Sequence, residues 1–269
     1  MAGQFIMLPG VTAAAASGAP RISMNAPDSV AAKIATLKHV VSARTLTRDA
    51  VEGVVGRCRN TGLPLATKGT NKQYLALSEA GGKAALGLPG ISGGRAAVGL
   101  PVNSLTPSFT MVTAIFMSAS DIALAGAGNF LGGITPDDTY FAALLRWYGA
   151  GSSINPNMLA ASTTTGQPIT TANPGAGVWG VVVLDYNNDT RRISIALNQA
   201  DTFSSGVKAT DFAPAANSYL EIGYHLGSES LREAKVGDLY TFSDSLLRTD
   251  MGKNQLKDLV AALKTYYGI

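Results

Sequence analysis

The chain has 269 residues, a formal charge of +3, thirty glycines and only 14% charged residues. This fits a large, turn-rich sheet domain better than a helical bundle, because glycine supplies the positive φ that tight turns need. One cysteine, Cys58, excludes an intrachain disulfide, and two histidines, His39 and His225, exclude a zinc-type cluster. No apolar run reaches the roughly 20 residues of a membrane-spanning helix, and no Lys or Arg precedes Arg21, so the basic front of a secretory signal is missing. Synthesis in the cytoplasm without a signal peptide is the expectation.

Residues 1–62 hold seven Lys/Arg against three Asp/Glu, and residues 63–269 hold fourteen against fifteen, so the positive excess belongs to the first quarter. Two readings stand: a solvated basic face, or an arm that docks on an acidic surface of an assembly through Arg21, Lys33, Lys38, Arg44 and Arg48. The excess is too small to indicate nucleic acid. Residues 1–27, punctuated by Pro9, Pro20 and Pro27, predict an extended arm. Asp28 or Ser29 can cap a helix with Val30, Ile34, Leu37 and Val41 on one stripe. A second helix is expected from about Thr47 to Arg59, carrying Val51, Val54, Val55 and Cys58 and stopping at Gly62. On this reading residues 1–62 are an arm plus a helical hairpin, and residues 63–269 are a separate domain; Cys58 is a packed residue and His39 lies on a helix face.

Beyond Gly62 the pattern becomes β-like. Short strands are expected at Gln73–Leu77 and Lys83–Leu88. Phe109–Met117 reads as a strand apolar on both faces, with Phe109, Met111, Ile115 and Met117 on one and Val112, Ala114 and Phe116 on the other, which places it between layers. Strands are expected near Asn129–Ile134 and Tyr140–Tyr148. The polar stretch Ser152–Gly177 then predicts a long loop with at most one embedded strand. Trp179–Asn198 is the strongest local signal: two β-rich runs around an Asn/Asp turn, the first apolar on both faces and the second alternating Ile193, Ile195 and Leu197 with Arg192, Ser194 and Asn198. Ser218–Gly227 alternates Leu220, Ile222 and Tyr224 with Glu221, Gly223 and His225. The chain closes on a strand reaching Phe242 and an amphipathic helix capped at Thr249 or Asp250, striped by Leu256, Leu259, Val260, Leu263 and Tyr267, and ended by Gly268.

Several of these segments carry a resemblance. GGKAALGLPG (81–90) followed by SFTMVTAIF (108–116), the Trp-initiated hairpin 179–198, the Leu220–Gly223 strand, and the strand and helix 237–264 with a TyrTyrGlyIle ending occur in the order found in concanavalin A-like, or laminin G-like, domains of bacteriophage virion proteins. The likeness covers roughly residues 69–269. It departs at Leu247-Arg248-Thr249, where the family usually has a Leu-Ser step. The resemblance implies a mainly β, antiparallel jelly-roll sandwich, a virion location and virion partners. It transfers no functional residue, because this fold serves lectins, hydrolases and structural parts alike.

No catalytic residues are assigned. Glycoside hydrolysis needs two facing carboxylates, and Glu221, Glu229 and Glu233 are the nearest approach; His225 reads as a rim residue with no GxSxG elbow anywhere. Asp185, Asn187, Asn188 and Asp189 offer oxygen donors for a calcium ion, beside a metal-free turn as the plainer reading. Trp147, Tyr148 and Tyr140 are candidates for stacking on a sugar, beside a core role for Trp147. The expectation is therefore a non-enzymatic bacteriophage virion structural protein, homo-oligomeric, anchored through residues 1–62 to other virion proteins. Its sandwich serves adhesion to a host surface glycan in a tail or fibre, or clamps neighbouring subunits as capsid decoration. The alternative is a secreted bacterial lectin or glycoside hydrolase.

Overall fold

The computed structural model describes residues 25–89, 94–124, 126–138, 141–149, 153–158, 169–227 and 230–269. In chain order the first half comprises α1 (Ala26–Ala31), β1 (Leu37–Ser42), β2 (Thr47–Asp49), β3 (Gly53–Arg57), β4 (Pro64–Lys68), β5 (Ala76–Ala80), β6 (Lys83–Gly87), β7 (Ala96–Gly99), β8 (Phe109–Phe116), α2 (Ala119–Ala123) and β9 (Ala127–Ile134). The second half comprises β10 (Phe141–Tyr148), β11 (Ser153–Met158), β12 (Trp179–Asn187), β13 (Arg192–Leu197), β14 (Ser204–Val207), β15 (Tyr219–Tyr224), β16 (Lys235–Phe242) and α3 (Asp250–Tyr267). Among the described residues these strands all pair antiparallel. The first sheet runs β14-β13-β12-β8-β16-β6-β5, with β1 also on β16, and the second runs β11-β10-β9-β15-β7-β4-β3-β2. Strand β16 serves two partners along one edge: Lys235 and Val236 face β6, whereas Asp238 to Phe242 face β1.

The two sheets close on one core, to which alternate residues of each contribute: Phe109, Met111 and Ile115 from β8, Leu220 and Ile222 from β15, and Leu145 and Trp147 from β10. The opposite face of the first sheet is not left to water. Val112, Ala114, Val181, Val183 and Tyr240 on that face pack under α1 and α3 through Ala31, Leu256, Leu259, Leu263 and Tyr267. That second layer explains why β8 and β12 are apolar on both sides, as their sequences require. It also corrects the expected polar face of β13, where Ser194 is buried and bonded to Ser205 Oγ at 2.9 Å.

Helix α3 begins as expected, with the Thr249 side chain accepting from Gly252 N at 3.0 Å, and ends at Gly268 in the left-handed region. Its five striped residues are all buried. Close seating is possible because Gly237 has no side chain: a Cβ there would come within 2.2 Å of the Tyr267 hydroxyl.

The helical hairpin expected over residues 28–59 is replaced by strands. Only one short α-helix forms, capped by Asn25, whose Oδ1 accepts from Asp28 N at 2.8 Å, and a single 3₁₀ turn follows at Ala43–Thr45. Leu37–Ser42 then extends, since its β-branched Val40 and Val41 serve both apolar layers at period two, Val41 in the inter-sheet core and Val40 beneath the helices. In the second stretch Asp49 Oδ1 accepts from Val51 N and Glu52 N, both at 2.8 Å, and Gly53 turns the chain at φ +84. A side chain at Gly53 would stand 2.8 Å from the Lys72 carbonyl, so glycine is required there. The described part of residues 1–62 thus belongs to both sheets, and Gly62 falls in the turn joining β3 to β4.

His39 sits on β1, not on a helix, and is 4% exposed. Its Nδ1 lies 3.3 Å from Cys58 Sγ, and the thiol donates to Asn60 Oδ1 at 3.1 Å. Buried Nε2 has no hydrogen-bond partner among the described residues. Burial, with Lys38 adjoining, pushes the imidazole pKa down to about 4. Among the described residues no helix is long and apolar enough to cross a membrane.

Candidate functional site

Residues paired across antiparallel strands share a face, so the register of the second sheet shows what its outer face presents. Tyr219, Glu221 and Gly223 on β15 point away from the core that takes Leu220 and Ile222. Alongside them lie Gly132 on β9, Ala97 and Gly99 on β7, and Ala66 and Lys68 on β4. The middle of this face is therefore paved with glycine and alanine. A Cβ at Gly132 would meet Glu221 Cγ at 3.1 Å, and one at Gly99 would touch the Tyr219 ring at 3.5 Å. The small residues leave space for the polar side chains between them. Helices α1 and α3 both pack on the other sheet.

One end of this face holds a linked polar group. Glu221, fully buried, accepts from His225 N at 3.0 Å and pairs with His225 Nδ1 at 2.7 Å. His225 Nε2 lies 4.0 Å from Asp138 Oδ2, which also takes Lys68 Nζ at 3.3 Å, while Tyr219 donates its hydroxyl to Asp138 Oδ1. The Lys68 ammonium stands 5.0 Å over the Tyr219 ring. Burial raises the Glu221 pKa against the opposing pull of His225, and burial with the Asp138 contact drives the Tyr219 phenol far up, so it stays a donor. Each acid on this end already has a cation or donor, which suits holding and orienting better than proton transfer. His225 is accordingly an internal partner of Glu221 and not a rim residue. Its backbone runs past the end of β15, so no strand periodicity announces the contact.

The other end carries Tyr148, Arg146 and Asn155. Trp147 turns inward: it is fully buried against Phe130, ring centroids 4.7 Å apart, and lies across Gly128. It is a core residue and cannot stack on a ligand. Tyr148, its neighbour, is 54% exposed. Arg146 shares the outer face with it; the guanidinium carbon stands 4.9 Å from the Tyr148 centroid, and Nε donates to Asn155 Oδ1 at 3.1 Å. Tyr140 lies outside the described residues.

The Asn/Asp turn of the β12–β13 hairpin does not gather ligands. Asp185 points into the fold, accepting from Thr110 Oγ1 at 2.5 Å and Ser245 Oγ at 2.8 Å, and burial pushes its pKa up to about 6. Asn187 Oδ1 accepts from Asp189 N at 3.0 Å and closes the turn, and Asp189 pairs with Arg248 at 3.0 Å. Three donors committed in three directions correct the calcium expectation for Asp185, Asn187 and Asp189; no cluster of three or more His, Cys, Asp or Glu suited to a metal occurs among the described residues.

The expected anchor residues do not share a surface either. Arg44 lies 3.7 Å from buried Asp28 and 5.3 Å from the Tyr266 centroid, and Arg59 reaches the same Asp28 at 2.6 Å. Arg48 donates to the carbonyls of Leu75 and Gln73 at 2.8 and 2.7 Å. These arginines brace the sandwich. Lys33 is exposed, Lys38 is half-buried, and Arg21 lies outside the described residues. A separate groove of about 640 Å³ runs between Lys83, Pro174, Val178, Asn198 and Tyr266. Its one half-open aromatic, Tyr266, is covered by Lys83 at 4.4 Å as well as by Arg44.

No family model matches the chain, and no curated protein matches it. Solved structures do. Trypanosoma rangeli sialidase superposes with a TM-score of 0.56 at 15% identity, over 87% of this chain and 33% of that one. Domain 4 of AbnA, a GH43 extracellular arabinanase from Geobacillus stearothermophilus, in complex with arabinotriose, superposes with a TM-score of 0.51 at 13% identity, over 84% of this chain and 98% of that one. This chain spans about a third of the sialidase's length. At such identities the likeness is one of fold, and it places the chain among antiparallel jelly-roll β-sandwiches.

Proposed function

We propose that this protein is a non-enzymatic carbohydrate-binding sandwich that receives a glycan on the outer face of its second sheet. The observation that carries the reading is the exposed Tyr148 ring, flanked by Arg146 and Asn155, on a sheet face floored by glycine and alanine. An amphipathic ring offers a stacking plate for a sugar, and the adjoining guanidinium and amide supply bonds to hydroxyls. Binding without cleavage follows from the engagement of the acids on that face, since Glu221 is bonded to His225 and Asp138 to Lys68. The arabinotriose complex of the structurally similar arabinanase domain supports a sugar ligand for a sandwich of this shape.

Within this reading the sandwich is a bacteriophage virion component; the support is the ordered set of motifs at 81–90, 108–116, 179–198, 220–223 and 237–264. A glycan array finds the ligand, and isothermal titration of the best hit against Tyr148→Ala tests the face. Loss of stacking should weaken binding about tenfold, equivalent to about 1.4 kcal/mol. A hit that binds the variant as tightly as the wild type places the site elsewhere.

A further inference from the structure

We infer that the glycan bound at this face carries a carboxylate, recognised by the fork of Arg146; the inference rests on the glycan reading above. Among the other arginines, Arg44 and Arg59 are matched with Asp28, Arg191 with Asp211, and Arg248 with Asp189 and Asp244, while Arg48, Arg57 and Arg232 donate to backbone carbonyls. Arg146 is different. Its Nε donates to a neutral amide, Asn155 Oδ1, its flat face lies by Tyr148, and its Nη1 and Nη2 meet no acid among the described residues. Those two contacts hold the guanidinium plane, and its outer pair of N–H groups has no partner among the described residues.

A fixed guanidinium with an open pair of parallel donors is matched in geometry and charge by a carboxylate, which it binds through two charge-assisted hydrogen bonds. A neutral hydroxyl can use only one of these and leaves the charge uncompensated. The position is also half-buried and beside an aromatic ring, which excludes water from one side of the pair and strengthens it. The surrounding face is not repulsive to an anion. Its acids at the far end are already paired with His225 and Lys68, and Arg146 stands at the opposite end of β9, since Asn129 pairs with Arg146 while Asp138 follows Ile134. The arrangement therefore selects a sugar bearing a carboxylate, with the ring on Tyr148 and the carboxylate on Arg146.

The test compares galacturonic acid oligosaccharides with their methyl-esterified, uncharged counterparts, and sialyllactose with lactose, by isothermal titration against the full chain. The acidic member of at least one pair should bind tenfold or more tightly than its neutral partner. Arg146→Gln should abolish that preference, bringing the acidic member down to the affinity of its neutral partner; Arg146→Lys, which keeps charge but loses the fork, should lose most of it. Tyr148→Ala should weaken both members alike. Far-ultraviolet circular dichroism and the thermal midpoint confirm that each variant is folded. Equal binding of acidic and neutral partners by the wild type, or a preference that survives Arg146→Gln, overturns the inference and leaves the glycan reading standing. If no member of either pair binds while the array gives neutral hits dependent on Tyr148, the carboxylate inference again fails alone. If the array gives no hit that depends on Tyr148, both fail.

Discussion

Replacing His39 should make the protein more resistant to acid, and the size of the effect follows from its surroundings. The imidazole is neutral in the fold because its Nδ1 is against Cys58 and its buried Nε2 has no acceptor for a second proton. Its folded pKa of about 4 lies below the ordinary 6.5. A group whose folded pKa is depressed in this way gives the native state nothing to lose above pH 6.5, where it is neutral in both states. Below pH 6.5 only the unfolded chain takes the proton, and stability falls until the pH reaches the folded value. At pH 5 the deficit is about 1.5 pH units, or about 2 kcal/mol at 1.36 kcal/mol per unit. The assay is urea unfolding of wild type and His39→Gln, followed by tryptophan fluorescence, at pH 7.5 and pH 5. Buried carboxylates titrate in both proteins and cancel in the difference. The variant should gain about 2 kcal/mol on the wild type between the two pH values, whatever its absolute stability, and His39→Phe should show the same gain. A difference that does not change with pH would refute the account of a proton excluded by burial.

Asp185 has the opposite sign: with its folded pKa raised to about 6, its contribution is intact below pH 4 and is lost as pH rises through 6. Asp185→Asn should therefore gain on the wild type by up to about 3 kcal/mol between pH 4 and pH 7.5, read by the same paired unfolding curves. Trp147→Ala should cost about 3–5 kcal/mol of stability, whereas Tyr148→Ala, one residue on, should change stability by less than about 0.5 kcal/mol; thermal denaturation separates them. Deleting residues 1–62 removes β1 from β16 and β3 from β4, so the truncated chain should be unfolded by circular dichroism; a cooperative melt would show that those strands are dispensable.

The sandwich was legible where one residue type alternates against another. Phe109–Met117, Trp179–Asn198 and Ser218–Gly227 carry period-two patterns that survive in β8, β12, β13 and β15, and the stripe of α3 is buried as read. Residues 28–59 misled because Val30, Ile34, Leu37 and Val41 fit a helical stripe while Val40 and Val41 also fit two faces of a strand. Local spacing cannot tell these apart, and pairing with β16, some two hundred residues on, decides. At the candidate site the sequence names Trp147 and Tyr148 together, and only the register assigns one to the core and the other to solvent. The role of Arg146 was not readable. Its partners, Asn155 and Tyr148, lie across a strand pair and two positions along, and nothing in the order of residues marks an arginine without an acid.

The placement of β16 bears on how the chain is made. It lies inside the first sheet, bonded to β1, β6 and β8, and its Tyr240 hydroxyl reaches Asp28 at 2.8 Å across 212 residues of sequence. On the ribosome, β1 and β8 emerge with a gap between them that stays open until Phe242 has left the exit tunnel. Until then the edges of both strands stay unpaired, and the apolar residues that α3 later covers stay open to solvent. Completion of this sheet therefore waits on the synthesis of β16, and until then its unpaired strand edges are open to wrong pairings.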